Sequence, residues 1–99
     1  MDDLVQFLRA RLAEDLERAR FIGNTMITQH ERMNVSLEAA EKQARSSLAA
    51  AESRLALFED TVVPYLGTAG PGGRNAELQL RLLGAPYADH PDYREGWRP

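Results

Sequence analysis

Along the start of the chain apolar residues return every three or four positions, at Leu4, Leu8, Leu12, Leu16 and Ala19, with Val5, Phe7 and Ile22 widening the stripe. That spacing places them on one face of an α-helix. Asp2 and Asp3 stand where the positive end of a helix dipole favours acids, and Gly23-Asn24 offers a left-handed stop. The pattern predicts a helix over about residues 3–22. Arg9, Arg11, Arg18 and Arg20 interleave with Glu14, Asp15 and Glu17, which reads as a solvated face with i,i+4 pairing rather than a basic stripe.

From Thr25 the pattern is helical again, and from Met33 it becomes heptad-like: Leu37, Ala40, Ala44, Leu48, Ala51, Leu55, Phe58 and Val62 follow at alternating steps of three and four. Such steps form the seam of a coiled coil or a helical hairpin. The prediction is a second helix over residues 25–63, with a break or kink near 34–36, where Asn34-Val35-Ser36 groups poor helix formers. Unbroken, it would run to about 60 Å, against roughly 35–40 Å for a compact domain of this size. The overhang needs cover, so Leu37, Ala40, Ala44, Leu48, Ala51, Leu55 and Phe58 become the candidate interface. The seam is rich in alanine and buries little area per residue, so it is weak unless a bulky stripe lies opposite.

Pro64 ends or kinks that helix, and residues 67–75, GTAGPGGRN, read as a flexible loop. A phosphate-binding loop is disfavoured, since no strand precedes it and no Gly-Lys-Ser or Gly-Lys-Thr follows. Asn75 can cap a short helix over 76–84, stopped by Gly84 with Pro86 beyond. The final stretch, PYADHPDYREGWRP, crowds Tyr87, Tyr93 and Trp97 among charged side chains. Asp89 can cap a last helical turn on which Tyr93 and Trp97 share a face. Short helices are marginal alone, so this aromatic surface either docks back on the helices as a clasp, the favoured reading, or serves as a recognition surface for a partner.

Composition narrows the chemistry. The 99 residues read as one domain, with a formal net charge of -3, 43% hydrophobic content and no cysteine. Without cysteine there is no disulfide framework, thiolate nucleophile or cysteine zinc site. No basic cluster suits a phosphate backbone, and no apolar run approaches a membrane span, so neither nucleic acid nor membrane is expected as a partner. The acidic start lacks the basic residues of a secretory signal, which points to the cytoplasm. His30-Glu31 opens an HExxH pattern, but position 34 is Asn34, not a second histidine. Asp89, His90, Asp92 and Glu95 could be drawn as metal ligands, yet turn and capping chemistry explains them more simply. No catalytic residue, cofactor or metal is expected.

The two ends, MDDLVQFLRARLAED and LRLLGAPYADHPDYREGWRP, resemble an uncharacterised actinobacterial family, domain of unknown function 6221. The terminal PYADHPDYRE followed by WRP is the most specific part of the likeness. The resemblance implies a bacterial or phage host and no mechanism. The middle departs from the Gly-Pro-Trp and the Cys or His residues associated with that family, which implies a scaffold built from the two ends.

Together these readings predict an all-α protein, a helical hairpin with one long Ala-rich helix closed by a short C-terminal segment. The expected role is a cytoplasmic protein–protein interaction or assembly module, not an enzyme, that forms a homodimer. The alternative is an inhibitor or antitoxin-like protein of a phage or mobile element that occupies a host protein.

Overall fold

A computed structural model describes residues 1–99. The chain is entirely helical, with three α-helices: α1 (Asp2–Thr28), α2 (Leu37–Ala56) and α3 (Pro71–Gly84). A π-helical turn, Leu57–Val62, continues α2, and short 3-10 turns occupy Val63–Tyr65, Ala85–Tyr87 and Glu95–Trp97. The chain divides into two compact units, one of Met1–Arg11 with Leu55–Pro99 and one of Leu12–Arg54.

The unit of residues 12–54 is a helical hairpin in which α1 packs against α2. Helix α1 does not stop at Gly23-Asn24 but runs five residues further, 27 residues in all. The reason lies in α2: a Cβ on Gly23 would stand 3.1 Å from the Ala44 Cβ. Gly23 is a point of close approach between helices and not a cap. Residues 25–28 therefore belong to α1, and no helix spans 25–63. The reversal comes where the sequence is weakest. Asn34 takes the left-handed conformation, φ 56°, which a short polar side chain tolerates better than most. The Val35 N–H donates to the His30 carbonyl at 2.9 Å. Ser36 Oγ then accepts from the Ala39 N–H at 3.1 Å, capping α2.

The other unit gathers the first turns of α1, the π-helical turn, α3 and the C-terminal segment. Leu4, Leu8, Phe58, Val62 and Leu80 are fully enclosed, with Phe7, Ala76 and Trp97 nearly so. The widened turn falls just before Pro64, whose ring would crowd the Asp60 carbonyl in an ideal α turn. The Val63 N–H instead reaches back to the Phe58 carbonyl. Helix α3 begins at Pro71 after Gly70, φ 83°, so Asn75 is an interior residue and the loop is shorter than 67–75. Pro71 sits where its missing N–H has no intrahelical partner to lose. Gly73 is buried, and a Cβ there would fall 2.0 Å from the Thr68 carbonyl oxygen. Gly84 likewise does not terminate by a left-handed turn, since its φ is -80°. It lets the backbone approach Leu4 Cδ1, which would lie 3.4 Å from an added Cβ.

Candidate functional site

Two features stand out from this frame, one in each unit. The first is the C-terminal segment. Phe7, on α1, is its centre: the ring lies 6.3 Å from Tyr87, 5.3 Å from His90, 6.0 Å from Tyr93 and 5.1 Å from Trp97, centroid to centroid. Three of these contacts are edge-to-face, the arrangement the ring quadrupole favours. Trp97 is 9% exposed. Tyr93 packs edge-on against it at 5.5 Å, although its buried hydroxyl meets no protein acceptor.

Arginines frame the aromatic cluster. Arg94 bonds Asp3 at 2.8 Å and lies 5.4 Å over the Trp97 ring, tying the segment to the first turn of α1. Arg81 of α3 donates to the carbonyls of Gly96 at 2.7 Å and Arg98 at 3.2 Å. Arg11 stacks over Phe7 at 5.2 Å and brings Nη1 to 2.7 Å from His90 Nε2. The other ring nitrogen, Nδ1, accepts from the Asp92 N–H at 3.0 Å. A neutral imidazole has one acceptor nitrogen, so the tautomer decides which of these two contacts is a hydrogen bond.

Asp89 caps no helix. The last helical turn starts later, at Glu95, preceded by Arg94 in extended conformation, and the Asp92 N–H goes to the His90 ring rather than to Asp89. Arg98 holds the Glu95 carboxyl below its ordinary range, first by hydrogen bonding and then by charge, and is itself raised by the same bond. Both are fully exposed, so the pair is a surface feature. No group of three or more His, Cys, Asp or Glu side chains is placed to hold a metal ion. His30 directs Nδ1 to the Val35 carbonyl at 3.0 Å within the hairpin turn.

The second feature is the hairpin. Of the heptad seam, Ala40, Ala51 and Phe58 are buried inside the chain and cannot face a partner; Phe58 lies beneath the Arg9 guanidinium at 5.5 Å. Ala44, Leu48 and Leu55 are half-buried, and Leu37 is exposed. The seam splits because the reversal at residues 29–36 folds α1 back along α2, which removes the overhang. Ala44 and Leu48, with Ala19, Gly23 and Ile27 of α1, form the apolar floor of an open groove of about 450 Å³. Arg20, Asn24, Glu41 and Arg45 make its rim. Phe21 is 72% exposed, the most open of the large apolar side chains, and Ile22, Met33 and Leu37 are also open. Sequence periodicity had no reason to single out Phe21, which lies off the apolar stripe of α1.

The fold and these features define a small all-α protein with a closed aromatic C-terminal segment and an open helical hairpin. The chain belongs to the family of unknown function DUF6221, whose sequence model covers residues 1–99. That full-length match corrects the expected departure of the middle: the hairpin is as much part of the family as the two ends. No curated protein and no solved structure matches the chain. No helix is long and apolar enough to cross a membrane.

Proposed function

We propose that this protein is a small protein–protein interaction and assembly module that self-associates through the hairpin of residues 12–54. The observation that carries the reading is the imbalance of that hairpin. Its buried residues are Leu12, Gly23, Ala40 and Ala51, mostly small, while Phe21, Ile22, Met33 and Leu37 stand 72%, 47%, 49% and 44% exposed. Phe21 and Ile22 lie on α1, Met33 in the turn and Leu37 at the start of α2, so the hairpin leaves large apolar side chains open on both arms while most of what it covers is small, which supports an interaction surface there. The absence of cysteine fits a reducing compartment, and the cytoplasm is the proposed setting.

Light scattering across a concentration series tests this. A mass that rises from monomer to oligomer, with a melting temperature that rises alongside it, supports self-association through mass action. A monomer at every concentration overturns it. A stoichiometric complex with a foreign protein, formed by a chain that stays monomeric alone, would instead favour an inhibitor that occupies a host protein.

A further inference from the structure

The exposed aromatic and the open groove lie on the same hairpin, and the charged side chains around them differ in net sign. Phe21 follows Glu14, Glu17 and Arg18 by seven, four and three residues, spacings that place all four on one face of α1. That face surrounds an apolar knob with two acids and one base. The groove rim carries the reverse, two bases and one acid: Arg20, Arg45 and Glu41. The groove floor is open where Gly23 and Ala44 meet, since nothing larger than the Ala44 methyl fills it there. Its volume of about 450 Å³ lies within the range of pockets that enclose organic ligands and readily admits a single aromatic ring.

We propose that Phe21 of one copy seats in the groove of a second copy, between Ala19 and Leu48. Within one chain Glu17 pairs with Arg20 at 2.7 Å, Arg18 with Asp15 at 2.9 Å and Arg45 with Glu41 at 3.9 Å, all surface pairs; on docking, Glu17 exchanges its partner for Arg45 of the other copy and Arg18 for Glu41. A second copy is the occupant because the chain itself carries a knob whose charged surround complements the rim. This inference rests on the self-association proposed above and names the residues that perform it. Aromatic and arginine anchors of this kind dominate interface energetics, the surrounding contacts serving mainly to exclude water. Full burial of one phenylalanine corresponds to about tenfold to a hundredfold in association.

The test uses two variants of the full chain. Phe21→Ala removes the knob and keeps the groove, whereas Ala19→Arg fills the groove and keeps the knob. Sedimentation velocity should show each variant alone weakened in self-association by at least about tenfold, with a circular dichroism melt at low concentration like that of the parent. Mixed together, the two should form a one-to-one complex, because one member still offers a knob and the other a groove. If Ala19→Arg lowers the melt, Arg18→Glu and Glu41→Arg take its place: each alone weakens association, and the two in one chain restore it. The parent has no cysteine, so mixed Arg18→Cys and Glu41→Cys chains provide a second readout. They should form a disulfide with each other faster than either forms with itself. Self-association unchanged in Phe21→Ala overturns the knob while leaving the assembly reading intact. A parent that is monomeric throughout overturns both.

Discussion

Phe7 and Phe21 lie on the same helix four turns apart, and the chain treats them in opposite ways. Phe7 is 8% exposed and meets four aromatic or imidazole rings; Phe21 is 72% exposed and is the only aromatic residue in the unit of residues 12–54. Around Phe7 the C-terminal segment supplies Tyr87, His90, Tyr93 and Trp97 from fewer than fourteen positions, and Arg94 and Arg81 fasten it. The hairpin of 12–54 receives no such segment. Its helices meet at Gly23 and Ala44, a contact that permits close approach but removes little apolar area from water. The difference teaches that a helix face becomes core only when something in the chain is available to cover it. The periodicity of the face does not decide this by itself.

The largest effect that separates the two regions should come from deleting residues 86–99. Tyr87, Tyr93 and Trp97 contribute about 1.5–3 kcal/mol each at full occlusion, and each kcal/mol shifts a domain of this size by roughly 4–8 °C. The melting temperature should fall by at least about 15 °C, with a gain in dye binding. In the intact protein Trp97, the only tryptophan, should emit at short wavelength and resist iodide. A red, freely quenched emission with an unchanged melt on truncation would reverse the contrast, making the C-terminal segment the open region.

Phe7→Ala should come next, at about 3–5 kcal/mol of unfolding free energy by denaturant titration, because it leaves a cavity beneath four rings. The corresponding change in the hairpin, Phe21→Ala, should fall within about 0.5 kcal/mol in dilute solution, as for other exposed positions. Equal losses at the two sites would erase the comparison.

Two glycines sharpen it on a smaller scale. Gly73→Ala drives a Cβ to 2.0 Å from the Thr68 backbone oxygen, so the backbone itself must shift, and should cost about 1–3 kcal/mol. Gly23→Ala meets only a methyl at 3.1 Å and gains about 1 kcal/mol of helix propensity, so its net effect should be under 1 kcal/mol in either direction. Thermal melts of the two variants are the measurement. A Gly23→Ala loss larger than that of Gly73→Ala would show the hairpin to be the tighter unit.

The smallest effect concerns Glu95, whose carboxyl is lowered by the hydrogen bond and charge of Arg98. A depressed folded value means that the pair stabilises above the ordinary carboxylate value of 4.5, and that this contribution disappears as pH falls through the lowered one. Both side chains are fully exposed, so the change in the melt should be near the limit of detection. Carbon-13 NMR of the Glu95 carboxyl should still show titration below that of Glu95 in an Arg98→Ala chain. Coincident titrations would remove the pair from the description of the segment.

Much of this was written in local order. Helical periodicity, the acids at the start of α1, the weak helix formers at Asn34-Val35-Ser36 and the aromatic crowding at the end all depend on neighbours within about a turn; the break expected at 34–36 proved to be a full reversal, which the residues there did not announce. The glycines were not legible in the same way. A glycine followed by asparagine serves equally as a left-handed stop or as a gap for another helix, and only Ala44, twenty-one residues on, makes Gly23 the second. The heptad seam was similarly ambiguous, because three- and four-residue steps state that a face will be covered without stating by what. Phe58, Ala40 and Ala51 found cover within the chain, whereas Leu37 did not. The roles of Arg11, His90 and Arg94 in closing the C-terminal segment came from contacts spanning 79 and 91 residues, for which no local signal exists. Sequence alone determined which stretches become helices and which side chains need burial, since backbone hydrogen bonding and side-chain hydration act locally. Tertiary structure decided which of those needs were met, since that depends on the faces the fold brings together.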